Sequence, residues 1–362
     1  MRVVLIIIFA CLTPVQFWAQ EKFSDNLKVM LNYQYGFTLP EYKFVTNVVN
    51  DYIQAVDIAF MKERYGRDDY EQAYNYPENG ISLFYTSLGN KDILGQGFAI
   101  NYMFRVPIIN RTKFKLFNRM GIGLGYLTKT HDLVDNQLNV AIGSRMNIHY
   151  NCRVGASYQP WDRLAINAGA SFDHFSNGNT AEPNIGLNYL TFYSGLIYRI
   201  GDKIDPIVND LEKPEKKIYG EVFYSMGGKH TRAFTSKYYF TSSVAVQFGY
   251  NLSRSFHIGA GLDLFYDSSI KTQLADLGEE YSPHQSFQTG LHLTQTIAYR
   301  KFRFTLQEGL YIGLVDPINR KPMYNRGILQ YYVKDNWSIR IAMKSHLHIL
   351  DYPEIGFGYK FL

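Results

Sequence analysis

Stretches of about ten residues in which bulky apolar positions alternate with polar or glycine positions recur along the chain, and nothing else in it limits the fold as tightly. In Phe98 to Arg105 the even positions are large and apolar, while the odd ones include Asn101 and Arg105. Met120, Ile122, Leu124 and Tyr126 oppose Gly121, Gly123 and Gly125. Ile148 to Tyr158, Val244 to Asn251, Ile258 to Tyr266 and Trp337 to Lys344 repeat the pattern. Alternation with period two puts one kind of side chain on each face of a β-strand. Strands of soluble sandwiches usually run about five or six residues. Longer strands with one apolar face and aromatics near their ends suit an outer-membrane β-barrel, where closure must pair every strand edge because lipid offers no hydrogen bonds. The chain also ends Gly356-Phe357-Gly358-Tyr359-Lys360-Phe361-Leu362, an amphipathic last strand with aromatics at its tip.

Composition removes the competing classes. Charged residues make up 19% of the 362 positions and aromatics 16%, which argues against disorder and against a charged coiled coil. Two cysteines exclude a disulfide scaffold and a four-cysteine zinc site. A mean hydropathy of −0.21 excludes a polytopic helical membrane protein. The net charge of +5 is not gathered into a basic cluster, so nucleic acid is not an expected partner. Residues 1–20, with Arg2, the apolar run Val3 to Leu12 and Ala19, read as a signal peptide. Cys11 follows too short an apolar run for a lipoprotein site. The expected location is the Gram-negative outer membrane.

The spacing predicts about eight strands before residue 200 and about eight after 217. Residues 201–217, with Pro206, Pro214 and many charges, read as a periplasmic linker or long turn. The expected organisation is a signal peptide at 1–20, a first barrel half at 21–200, the linker at 201–217 and a second β half at 218–362. An eight-stranded barrel followed by a second β unit and one barrel of roughly 14–16 strands both satisfy this pattern. Residues 40–80 are less regular, with a long loop expected from Lys62 to Asn79. Weak similarity between the halves fits either duplication or generic barrel grammar. His346 and His348 share the parity of Arg340 and Lys344 and are expected inside. Gln295 and Glu308 fall on apolar faces, where a bulge, an oligomer contact or a misassigned parity would each account for them.

One segment stands apart. Even positions from Leu164 to Phe172 form an apolar face, and the same parity carries His174 and Ser176 toward lipid. If the hairpin folds symmetrically about residue 181, Asn188 sits opposite His174. A hydroxyl, an imidazole and a carboxamide then meet at the lipid-facing rim. Serine needs a base to take its proton, neutral histidine supplies one, and a third group must fix the ring tautomer. Asn188 can accept a hydrogen bond from the ring but carries no charge to stabilise an imidazolium. Backbone N–H groups at Asn177 and Gly178 are candidate oxyanion donors. A polar strand end in the wet headgroup zone gives the same residues without catalysis.

The run Ser171-Phe172-Asp173-His174-Phe175-Ser176-Asn177-Gly178, followed by Pro183-Asn184-Ile185-Gly186-Leu187-Asn188, closely resembles the lipid A 3-O-deacylase family of outer-membrane barrels. The glycine-bearing strand at 121–125 and the Asn147 to Gly155 region look similar too, so the resemblance covers roughly residues 27–200. It implies an eight-stranded barrel that cleaves an ester-linked acyl chain of lipid A without a metal or cofactor. His174 would be the base and Ser176 the nucleophile, with Asn177 aiding the oxyanion. The position matching the family's acidic residue is Asn188, a departure that puts the rate in doubt. The spacing of His174, Ser176 and Asn188 also resembles the outer-membrane phospholipases A, whose triad is Ser-His-Asn and which need calcium. The expected function is therefore lipid A deacylation by Ser176, His174 and Asn188. Phospholipase A and a non-catalytic structural or pore barrel are the alternatives. The expected partners are lipopolysaccharide and outer-membrane lipids, and the oligomeric state is left open.

Overall fold

The computed structural model describes residues 22–40, 43–178, 181, 183–211, 217–231, 237–318, 322–346 and 349–362. Residues 1–20, read as a signal peptide, lie outside that set, as does His348. The described residues form two closed antiparallel barrels of eight strands each. The first comprises β1 (Leu27–Thr38), β2 (Ile53–Glu63), β3 (Glu78–Thr86), β4 (Gly97–Asn110), β5 (Phe114–Leu127), β6 (Met146–Tyr158), β7 (Leu164–Ser176) and β8 (Leu187–Arg199). The second comprises β9 (Ile218–Lys229), β10 (Tyr239–Asn251), β11 (Phe256–Asp267), β12 (Phe287–Tyr299), β13 (Phe302–Tyr311), β14 (Met323–Tyr332), β15 (Trp337–His346) and β16 (Ile349–Lys360).

Closure decides the architecture. β8 returns to β1, with Leu196 opposite Leu31, and β16 returns to β9, with Phe357 opposite Tyr224. The single large barrel expected as one possibility is therefore not the fold. Eight strands already enclose a lumen narrow enough for side chains to fill. After β8 the chain leaves along the first barrel's own turns, where the Ile204 N–H donates to Asn26 Oδ1 and the Ile207 N–H to the Tyr65 carbonyl.

The alternation read from the sequence becomes outside and inside. Phe98, Ile100 and Tyr102 are about half exposed, while Asn101 and Arg105 are buried in the lumen. A broad apolar girdle of this kind is what lipid requires and what a soluble sandwich avoids. Paired side chains cross both lumens, which open at the linker end into hollows of about 610 Å³ and 230 Å³. In the first, Asp57 lies between Arg119 (2.9 Å) and Arg153 (2.8 Å), and Glu78 pairs with Arg105 (2.7 Å) and Lys28 (2.8 Å). In the second, Asp263 accepts from His292 (2.6 Å), Gln307 (2.7 Å), Tyr324 (2.5 Å) and Arg326 (3.1 Å). Such charges persist inside only because each finds opposite charge and donors. The expected inward placement of His346 holds, and it sits buried beside Tyr311.

The irregularity expected over residues 40–80 is only partly found. A loop with a short helix, Asp69–Ala73, joins β2 to β3, but Ile53–Glu63 is a full strand. Its inward face carries Ala55, Ala59 and Met61 beside Asp57, so apolar residues on both faces hide the alternation. That loop also joins the barrels. The Tyr74 hydroxyl donates to the Ala298 carbonyl (2.7 Å), and Arg300 pairs with Asp68 (2.5 Å) and Glu71 (3.1 Å). Phe104 and Tyr74 pack edge-on against Tyr299. The contact involves the ends nearest the linker, on the β2–β4 side of the first barrel, so the β7–β8 face looks elsewhere.

Candidate active site

β7 and β8 form a hairpin whose tip lies at the barrel end opposite the linker. Along β7 the odd residues Ser171, Asp173 and Phe175 point into the lumen and are buried. The even residues Phe172, His174 and Ser176 point outward and are half-buried. The inward set is a rigid base. Phe175 stacks on His149, which in turn stacks on Phe84, and Ser171 donates to Asp173 (2.6 Å). A Cβ on Gly125 would come within 2.6 Å of the Phe175 ring, so the glycine-lined inner face of β5 makes room for that base.

The register places His174 opposite Asn188 and Ser176 opposite Ile148 of β6. His174 Nδ1 and Asn188 Oδ1 are 2.6 Å apart. An amide oxygen only accepts, so this contact puts the ring proton on Nδ1 and leaves the Nε2 lone pair free to take a proton. Ser176 is the next outward residue on the same strand, about 7 Å on at Cα. In this resting arrangement its hydroxyl donates to Asn184 Oδ1 (3.2 Å). The two backbone donors considered from sequence are also occupied. The Asn177 N–H donates to the same Asn184 oxygen (3.0 Å), and the Gly178 N–H to Ser176 Oγ (3.3 Å).

Asn184 is the residue that sequence reasoning did not assign. Its signal was present in Pro183-Asn184-Ile185-Gly186, quoted only as a likeness. The segment is pinned by the β5–β6 loop, where the Gly143 N–H donates to the Pro183 carbonyl (2.6 Å) and the Ile185 N–H to the Ala141 carbonyl (2.9 Å). Gly186 has φ of +83°, and a Cβ there would meet His174 Cε1 at 2.8 Å. Only glycine allows both the left-handed backbone and the close approach to the ring. Gly178, with φ of +64°, also sits in that region but has open space around it.

Two other features lie away from this hairpin tip. A lipid-facing hollow of about 560 Å³ on β6–β8 is lined by Ala156, Ala168 and Ser194. It lies eight residues below Ser176, about 26 Å along the strand, and does not join the rim. Asp316, His346 and Asp351 in the second barrel bring potential ligand atoms within 4.8 Å of one another. Asp351 is already paired with Lys229 (2.7 Å) and Lys344 (3.0 Å), and two ammonium groups repel a cation.

Comparison with known proteins then adds what geometry alone does not. Residues 55–196 match the family model described as lipid A 3-O-deacylase (PagL), and residues 218–362 match the one described as acyloxyacyl hydrolase, C-terminal domain. The first barrel is thus similar to the lipid A 3-O-deacylases over residues 55–196. No curated protein matches it. Among solved structures, the outer membrane enzyme PagL is 15% identical, covering 49% of this chain and 99% of its own, with a TM-score of 0.33. Neisserial surface protein A is 9% identical, covering 48% of this chain and 97% of its own, also at 0.33. The Acinetobacter baumannii outer membrane protein Omp33 is 6% identical, covering 93% of this chain and 98% of its own, at 0.18. The deacylase match falls on the barrel that carries His174, Ser176 and Asn188. The second barrel carries a family match of its own, and its β15 histidine, His346, points inward rather than to lipid.

Proposed function

We propose that this protein is an outer-membrane serine esterase that removes an ester-linked acyl chain from lipid A. The observation that carries the reading is the His174–Asn188 pair beside Ser176 on the outer wall of the family-matched barrel, at the end opposite the linker. With residues 1–20 as export signal and the linker in the periplasm, that rim meets the outer leaflet. Ser176 leaves Asn184 and turns its hydroxyl to His174 Nε2. Oγ attacks the ester carbonyl carbon as the proton passes to Nε2. The carbonyl oxygen becomes an oxyanion, for which the Asn177 and Gly178 N–H groups are the nearest backbone donors once Asn184 and Ser176 are drawn aside. Collapse expels the sugar alkoxide, which takes the proton from His174. Water activated by the same nitrogen then hydrolyses the acyl-enzyme and releases the fatty acid. Asn188 holds the ring in its useful tautomer throughout but leaves the transient imidazolium without a negative partner.

The test is mass spectrometry of lipid A from cells carrying wild type or Ser176→Ala. Loss of one acyl chain in wild type only is expected, and an identical acyl pattern in both would overturn the assignment. The Asn188 carboxamide favours phospholipase A as the second reading. Calcium-dependent release of fatty acid from phosphatidylethanolamine, with lipid A untouched, would select it. The salt-bridged lumens speak against a pore.

A further inference from the structure

The second barrel ends on the linker side in a hollow of about 230 Å³ that the Ser176 chemistry, in the other barrel, does not use. Its floor is Glu221 of β9, Gln247 of β10, Thr305 of β13 and Gln330 of β14, all buried. Inward residues of a closed barrel hold such a cup more rigidly than loops would. The Tyr219 ring forms one side. It lies against Gly249, where a Cβ would meet the ring at 2.1 Å, and edge-on to His257. Two groups on the floor are open. Gln247 is only 6% exposed, yet among the described residues no hydrogen bond reaches its amide. Glu221 accepts from Gln330 (3.0 Å) and from Tyr332 through the same oxygen, Oε1, and among the described residues nothing donates to Oε2. A buried amide and a carboxylate oxygen left open in this way are costly unless something entering the hollow meets them.

The rim carries the opposite charge. Lys301, Arg303, Lys334 and Lys360 line it, and among the described residues none of the four pairs with a carboxylate. Against them stand Asp335 at the rim and Glu221 below. Lys360 is opposite Glu221 in the β9–β16 register, yet its ammonium lies over the Tyr219 ring instead, 5.6 Å from the centroid. The two zones select what can enter. A bare anion is drawn to the rim but repelled by Glu221. A neutral sugar satisfies Glu221 and Gln247 but leaves the cations unmet. We infer that this hollow binds a phosphorylated monosaccharide from the periplasm. Its hydroxyls donate to Glu221 Oε2 and exchange hydrogen bonds with the Gln247 amide, while its ring lies along Tyr219. Its phosphate sits among the rim cations, where lysines act as point charges. The volume falls below the roughly 300 Å³ at which larger small-molecule sites begin, so it suits one sugar ring and not a chain. The site uses no residue of the first barrel and stands independently of the esterase chemistry.

The test is isothermal titration calorimetry on the full chain folded in detergent micelles. The probes are glucose 1-phosphate, glucose 6-phosphate, mannose 6-phosphate, glucuronate, glucose and inorganic phosphate. At least one sugar phosphate is expected to bind at a single site, about tenfold or more tighter than glucose, glucuronate or inorganic phosphate. Gln247→Leu, close in shape to the glutamine, and Lys360→Gln should each weaken that sugar phosphate about tenfold. Lys113→Gln, in the larger basic hollow of the first barrel, should leave the affinity unchanged. The shifted gel mobility of a folded barrel qualifies each variant. Sugar phosphates that all bind no tighter than inorganic phosphate would overturn the site, and this comparison needs no variant. Equal weakening by Lys113→Gln and Lys360→Gln would overturn it too, since that marks diffuse attraction to positive charge. Unchanged affinity in a folded Gln247→Leu protein would remove the floor from the argument, and tighter binding of glucuronate would replace the phosphate by a carboxylate.

Discussion

Replacing Gly186 with alanine tests the site through two effects that the structure separates. The added Cβ would lie 2.8 Å from His174 Cε1, where ordinary contacts begin near 3.4 Å, so the ring must move by about 0.6 Å or the loop must. The loop is tied to the β5–β6 connection through Ala141 and Gly143, which leaves the ring as the softer element. A shift of that size away from Asn188 lengthens the 2.6 Å contact to about 3.2 Å, the long end of the hydrogen-bond range, and turns Nε2 away from its place beside Ser176. A misplacement on that scale costs roughly 100-fold in rate, about 2.7 kcal/mol of barrier. The left-handed backbone adds about 1–2 kcal/mol of strain to the folded state. Gly178→Ala carries a similar strain at φ of +64° but meets nothing within 4 Å. Fatty acid released from purified lipid A should therefore fall roughly 100-fold for Gly186→Ala and no more than about threefold for Gly178→Ala. Both should keep the shifted gel mobility of a folded barrel. Equal losses in the two variants, or full activity in a folded Gly186→Ala protein, would refute the claim that His174 must sit where Gly186 lets it.

Further predictions concern the same site and its support. Asn188→Glu restores a carboxylate beside His174 Nδ1 and should raise kcat about tenfold by stabilising the imidazolium, with KM little changed in steady-state assays. Asn188→Ala removes the partner of that nitrogen found among the described residues and should lower kcat by tenfold or more. Asp57→Ala leaves Arg119 and Arg153 facing each other in the first lumen and should cost about 3–5 kcal/mol, read as a lower urea midpoint for vesicle-folded protein.

Much of the site was legible because it lies within one hairpin. Strand parity sends His174 and Ser176 to the same face, and counting about the turn sets Asn188 against His174, both local consequences of a period of two. Asn184 was not legible in that way. It sits outside the strands, and its contact with Ser176 depends on the β5–β6 loop that holds it. The three-residue contact of Gly186, His174 and Asn188 likewise needs the fold of the turn, which a period says nothing about.

The same division runs through the whole molecule. Where alternation is clear, as in β4 to β8, sequence alone set which residues face lipid and which face the lumen, because parity is fixed residue by residue along a strand; in β2, apolar on both faces, it did not. It bounded the strand count only loosely, at about eight in each half, and the exact eight and eight came with the fold. Whether those strands make one cylinder or two was decided only by tertiary structure, when β8 met β1 and β16 met β9. The pairing of Asp57 with Arg119 and Arg153, from three different strands, was decided there too. Closure and lumen packing join residues far apart in the chain. Their energies depend on which edges meet, and that information is carried by no single segment.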